Sequence, residues 1–90
     1  MSEKKLEVKI ISTASTPQDI PQYADMVILH AITGEMGILP GRLPCSIVLG
    51  KGSLRVYNDD QVTPFKIDGG IASVKNNVVT VLSNKIEIAP

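Results

Sequence analysis

Hydrophobic and polar residues alternate over short stretches of this chain, and turn-forming residues separate the stretches. Leu6, Val8 and Ile10 alternate with Glu7 and Lys9, which predicts a first strand with one buried face. The later stretches are rich in Val, Ile and Thr, which favour strands, and none of them is a convincing helix. Further strands are predicted at residues 25–31, 38–39, 45–49, 53–57, 62–67, 71–75, 78–82 and 85–88.

Turn residues indicate where these strands end. Asn58-Asp59-Asp60 and Asn76-Asn77 predict two hairpin turns, because Asn and Asp tolerate positive φ. Gly69-Gly70 predicts a break in the ladder, either a bulge or a close approach of two backbones. Pro21 cannot donate to a ladder, so a strand near it is expected to be short or at an edge. The apolar run 25–31 predicts a strand covered on both faces.

Together these elements predict an all-β fold, with residues 1–90 forming one domain. Nine or ten short strands in 90 residues are typical of a flattened β-sandwich or barrel. The hydrophobic fraction of 43% argues against disorder, and a chain of this length can bury a modest core.

The charges and the single cysteine exclude several classes of protein. Nine basic and nine acidic residues are interspersed, so the basic face that binds nucleic acid is not expected. One cysteine cannot form an internal disulfide, and no secretory signal is visible. No stretch approaches the roughly 20 apolar residues of a membrane span, so the chain is expected to meet a membrane only through partners.

No pattern of residues predicts a catalytic, cofactor or metal site. His30 is the only histidine and has no ligand cluster around it, so a packed or rim histidine is expected. Cys45 is expected to act as a small hydrophobe. Gly50-Lys51-Gly52-Ser53 lacks the upstream glycine and the following helix of a phosphate loop. Asp59 and Asp60 are expected for the backbone of their turn.

The most specific signal is the segment Gly34-Glu35-Met36-Gly37-Ile38-Leu39-Pro40-Gly41, which is followed by Pro44. It resembles the G-E-x-G-I-L-P-G-H-x-P loop of the F-type ATP synthase epsilon subunit (delta in mitochondria). Residues 24–28, 52–56, 68–71 and 74–82 resemble further stretches of that family in the same order. The resemblance covers nearly the whole chain and implies the N-terminal β-sandwich domain, without the C-terminal helical hairpin.

The resemblance also implies a function. Such a domain is a non-catalytic rotor subunit of the central stalk that docks on the gamma subunit and the c-ring. It implies a peripheral position at the cytoplasmic face of the cell membrane and, without the hairpin, no nucleotide binding. The loop carrying Gly34, Glu35 and Met36 is expected to present the last two side chains outward to the c-ring. Arg42, where the family has His, is expected at the gamma interface near the same end.

Two other functions compete with this interpretation. Biotinyl and lipoyl carrier domains are small β-sandwiches that display a modified lysine at a hairpin tip. Lys51 and Lys75 border turns, but neither has the neighbouring Met or Asp usual in such carriers. A generic ligand-binding sandwich is the second alternative, which a small molecule that raises the melting temperature would support.

Overall fold

The computed structural model describes residues 5–14 and 20–89, in which all regular structure is β. These residues form eight strands, and β5 and β6 are much longer than the others. The strands are β1 (Leu6–Ser12), β2 (Tyr23–Ala24), β3 (Met26–Ala31), β4 (Gly34–Ile38), β5 (Cys45–Asn58), β6 (Gln61–Lys75), β7 (Val78–Ser83) and β8 (Ile86–Ile88).

The strands are hydrogen-bonded in the order β2-β1-β7-β6-β5-β3-β4, and β8 pairs with β6. All pairs are antiparallel except β1 and β7, which run parallel. The first half of β6 pairs with β8 and its second half pairs with β7. The long strands therefore carry the chain across both parts of the sheet, which enclose one apolar core.

The core consists of the inward side chains of every strand. Phe65 is fully buried and is the largest of these side chains. Cys45 is half-buried and packs against the core, as expected for a small hydrophobe. The buried hydrophobic residues are Leu6, Val8, Ile10, Ala24, Val27, Leu29, Ala31, Ile38, Ile47, Leu49, Leu54, Val56, Phe65, Ile67, Ala72, Val74, Val79, Val81 and Ile86.

The predicted number of strands is too high, because four of the predicted strands are halves of two long ones. Residues 45–49 and 53–57 both belong to β5, and residues 62–67 and 71–75 both belong to β6. The pairing keeps one register across the glycines between the halves, from Leu49 opposite Gly70 to Lys51 opposite Asp68. Glycine can lie within a strand without ending its ladder, so these glycines do not mark strand ends.

Gly70 lies where the backbones of β6 and β7 approach closely. Its φ is +123°, and a β-carbon at this position would collide with the carbonyl oxygen of Leu82. The predicted close approach is therefore confirmed, whereas the predicted break in the ladder is wrong.

The predicted hairpin turns and edge strand are confirmed. Asp59, Asn76 and Asn77 all have positive φ, between 52° and 62°. Strand β2 has only two residues and lies at one end of the strand order. The prediction that this strand, β3, is covered on both faces is wrong, because Val27, Leu29 and Ala31 are buried while His30 on the opposite face is exposed.

Lys5 connects the start of β1 to two turns that are distant in sequence. Its ammonium group lies 2.8 Å from a carboxylate oxygen of Asp25 and 3.1 Å from one of Asp59. It also donates to the side-chain oxygen of Asn58 at 2.7 Å. Asp25 in turn accepts a hydrogen bond of 2.6 Å from the backbone N–H of Asp59. The cluster therefore fastens β1 and the β2–β3 junction to the β5–β6 turn.

We expect the stability of the Asp25→Asn variant to decrease less at acid pH than the stability of the wild-type protein. The hydrogen bonds from Lys5 and from the Asp59 backbone lower the pKa of Asp25 below its ordinary value of 3.8. A carboxylate whose pKa is lower in the folded than in the unfolded state stabilises the protein at pH values above its unfolded-state pKa. That contribution disappears as the pH falls through the folded-state pKa. Thermal unfolding below pH 5 measures the difference, with Asp60→Asn as the control. Identical pH profiles for wild type and Asp25→Asn would contradict this prediction.

Candidate interaction surface

The segment singled out from the sequence forms a strand and not the predicted loop. Residues Gly34–Ile38 are β4, which pairs antiparallel with β3 from Ala31 opposite Gly34 to Val27 opposite Ile38. Only Ile32 and Thr33 form the turn, and Gly34 continues from it with a φ of +129°. Strand β4 lies at the opposite end of the strand order from β2, so the segment is an edge strand.

The two central side chains of β4 point to opposite faces, because successive residues of a strand alternate. Glu35 is exposed on the outer face, opposite His30 of β3. Met36 is half-buried and packs against the core. The expectation that both side chains point outward therefore holds for Glu35 and is wrong for Met36.

Glu35 forms an ion pair with Arg55 of β5. The Nη2 atom of Arg55 donates to a carboxylate oxygen of Glu35 at 2.8 Å. The side chain of Glu35 is 59% exposed and that of Arg55 is 34% exposed. Sequence reasoning missed this partner, because Arg55 stood out only as a member of the stretch 52–56 and lies 20 positions away. No local spacing rule connects residues on two different partners of β3.

Arg42 is exposed in the loop 39–44, which begins at the far end of β4 from Gly34. The Gly41 N–H donates to the side-chain oxygen of Asn77 at 2.7 Å, so the loop is fastened to the β6–β7 turn. Arg42 makes no salt bridge with any residue that the structure describes. The expectation that Arg42 lies near the same end as the Gly34–Met36 segment is wrong, because β4 separates them.

A row of exposed apolar side chains crosses four neighbouring strands. Register places Ile11 beside Leu82, Leu82 beside Ile71, and Ile71 beside Val48. Each of the four is about half exposed. The adjacent row on the same face contains Lys9, Thr80, Ser73 and Ser46, so only one member carries a charge. An apolar row of this kind with few charges is typical of a protein-binding surface.

The described residues contain no side-chain cluster of the kind that holds a metal ion. No group of three or more His, Cys, Asp or Glu that could hold a metal occurs in ranges 5–14 and 20–89. In the same ranges, no helix has the length and apolar character needed to cross a membrane. His30 lies over Gly52, where a β-carbon would come within 2.8 Å of the imidazole ring. This packing explains Gly52 without a phosphate ligand.

Comparison with known families assigns the fold. The profile of the family described as ATP synthase, Delta/Epsilon chain, beta-sandwich domain matches residues 5–89. The chain belongs to this family. The ATP synthase epsilon chain of Synechococcus elongatus is 44% identical over 82 residues, covering 91% of this chain and 58% of that protein. The epsilon chain of Caldicellulosiruptor bescii is 38% identical over 63 residues, covering 70% of this chain and 46% of that protein.

Solved structures contain the same fold. A chain in the Euglena gracilis mitochondrial ATP synthase (OSCP/F1/c-ring) matches with a TM-score of 0.81 at 20% identity, covering 93% of this chain and 53% of that chain. A chain in the Tetrahymena thermophila mitochondrial ATP synthase central stalk/c-ring matches with a TM-score of 0.70 at 14% identity, covering 96% and 68%. The predicted β-sandwich and the predicted family are thus confirmed, for a chain that spans 46–68% of the length of these proteins.

Proposed function

We propose that this protein is a central-stalk subunit of a rotary F-type ATP synthase. It docks on the gamma subunit and on the c-ring and couples ion-driven rotation to ATP synthesis, without catalysing a reaction itself. The observation that carries this proposal is the family match over residues 5–89, which covers nearly the whole chain. The similar solved structures, which are an OSCP/F1/c-ring assembly and a central stalk/c-ring assembly, support the same partners.

The architecture suits a mechanical role. A rotor component must transmit torque with little deformation, and a packed core, to which 19 hydrophobic residues in ranges 5–14 and 20–89 contribute, resists deformation. The long β5 and β6 hold the two parts of the sheet together through one ladder that keeps the same register on both sides of Gly50 and Gly69. The domain therefore acts as a stiff body between two partners.

We assign one surface to each partner. The outer face of β4 with Glu35 meets the polar loops of the c-ring, and the exposed loop with Arg42 meets the gamma subunit. An exposed ion pair contributes only about 0–1 kcal/mol, so firm docking also requires apolar contact. The row of Ile11, Leu82, Ile71 and Val48 provides an apolar surface for such contact.

This assignment implies a position in the cell. The protein is attached peripherally, through its partners, at the cytoplasmic face of the cell membrane.

The carrier-domain alternative has less support, because Lys51 lies within β5 and not at a hairpin tip. Lys75, the last residue of β6, does adjoin the Asn76-Asn77 turn. Mass spectrometry that finds an unmodified Lys75 would remove that alternative.

Co-purification tests the proposal. The full-length protein, tagged and expressed in its source cells, is isolated from detergent-solubilised membranes. We expect the gamma subunit, the c subunit and ATPase activity to co-elute with it at a fixed stoichiometry. A tagged protein that elutes without gamma and c, from membranes that contain an assembled ATP synthase, would contradict the proposal.

A further inference from the structure

An open groove of about 450 Å³ lies on the outer face of β5, β6 and β8. Strand β3 separates β5 from β4, so the groove is distinct from the outer face of β4. Its volume falls within the range of small-molecule sites, roughly 300–1,000 Å³. The polar side chains that line the groove are all exposed, and they are Lys51, Ser53, Lys66, Asp68, Lys85 and Glu87.

Two lysines of the groove converge on one serine. Ser53 of β5 lies directly opposite Lys66 of β6, and Lys51 lies opposite Asp68. Residues two apart in a strand share a face, so Lys51 and Ser53 project from the same side of the sheet. Lys51 and Lys66 are diagonal neighbours across the ladder, a separation of about 7–8 Å that two lysine side chains can bridge. Both ammonium groups and the Ser53 hydroxyl can therefore contact one small ligand.

These two lysines are not neutralised by ion pairs. Lys51 and Lys66 make no salt bridge with any residue in ranges 5–14 and 20–89, whereas the Lys85 ammonium lies 3.5 Å from a carboxylate oxygen of Glu87. On the β5 side of the groove, two ammonium groups thus face a single carboxylate, that of Asp68. A concave surface with an excess of positive charge attracts anions.

The geometry points to a binding site for a phosphate group, held by Lys51, Ser53 and Lys66. A phosphate monoester carries a charge of about −1.5 to −2 at pH 7 and three acceptor oxygens, which match two ammonium groups and one hydroxyl donor. A carboxylate has one charge and two oxygens and would match these donors less well. Asp68 faces the same ligand and opposes its binding.

This inference goes beyond the proposed function, and neither depends on the other. The site is also unlike a phosphate loop, because its donors are side chains on the face of a sheet and not the backbone N–H groups at the start of a helix.

Titration of the full-length protein with inorganic phosphate tests the site. Amide chemical shifts are followed by NMR at constant ionic strength, and they also report whether each variant is folded. We expect saturable shifts around the groove with a Kd of about 1–10 mM, and a Kd about fivefold higher for Lys51→Met and for Lys66→Met. Asp68→Asn should lower Kd, because a repelling charge is removed. Lys75→Met removes an exposed lysine at the end of β6, outside the groove, and should bind as wild type.

Two further probes define the ligand. Vesicles of phosphatidic acid in phosphatidylcholine present the same phosphate chemistry as a lipid headgroup, and acetate presents a carboxylate. Co-sedimentation with these vesicles that Lys51→Met and Lys66→Met abolish would identify a lipid as the source of the phosphate. Saturable binding of inorganic phosphate without co-sedimentation would identify a free phosphate compound.

Three outcomes would overturn the site. The first is the absence of both saturable shifts and co-sedimentation for the wild-type protein. The second is an equal loss of binding in Lys75→Met and in Lys51→Met, which would show only a general effect of charge. The third is binding of acetate as tight as that of phosphate.

Discussion

Replacing Gly70 by alanine is expected to destabilise the domain by about 2–5 kcal/mol, the sum of backbone strain and overpacking. The φ of +123° at Gly70 is one that residues with a β-carbon rarely adopt. The new methyl group would also collide with the Leu82 carbonyl and lie 3.0 Å from the α-carbon of Ser83. Neither backbone can retreat easily, because the Ser83 hydroxyl donates to the Gly69 carbonyl at 2.7 Å and fastens β7 to β6.

Chemical denaturation measures this effect against a matched glycine. Gly37→Ala is the control, since the φ of Gly37 is ordinary and an added β-carbon would lie 4.0 Å from its nearest neighbour, the Met26 sulfur. For a domain of this size, the expected loss corresponds to a decrease in melting temperature of about 10 °C or more. Equal stability of the Gly70→Ala and Gly37→Ala variants would show that β6 and β7 do not approach as described.

The second large effect concerns function. Glu35→Lys should uncouple the rotor, with binding to the c-ring weakened by roughly 2 kcal/mol or more, about thirtyfold in Kd. The substitution removes the acceptor and places a second cation beside Arg55, which lies 2.8 Å from Glu35 in the wild type. Proton-driven ATP synthesis in membrane vesicles should fall accordingly.

Folding should not be affected by this change. Glu35 is 59% exposed, and exposed ion pairs contribute little to stability. The circular dichroism spectrum and melting temperature should therefore remain close to those of wild type, and Glu35→Gln should show a smaller functional loss. Unchanged ATP synthesis in the Glu35→Lys variant would remove Glu35 from the c-ring contact.

The fold class and the turns could be predicted because both depend on local patterns. Alternation at Leu6, Val8 and Ile10 indicated a half-buried strand, and each of the three residues is buried. The pair Asn76-Asn77 indicated a hairpin turn because few other residues tolerate the positive φ that both adopt. These signals lie within a few residues of one another, so tertiary structure had little opportunity to override them.

The long strands and β4 could not be predicted because their outcome depends on neighbours distant in sequence. Glycine at positions 69 and 70 fits the end or the interior of a strand equally well, and pairing with β5 on both sides of this pair places it inside β6. The segment Gly34–Met36 has the composition of a loop, yet pairing with β3 makes it a strand. The Glu35–Arg55 pair follows from the order of three strands, which no local pattern specifies.

The most direct test of the account is site-specific photo-crosslinking in the assembled ATP synthase. A photoreactive amino acid is placed at Glu35 on β4 or, as the control, at Asp60 in the exposed β5–β6 turn. The account predicts an adduct with the c subunit from position 35 and none from position 60. An adduct from position 60 alone, or from neither position in an intact complex, would contradict the claim that the outer face of β4 meets the c-ring.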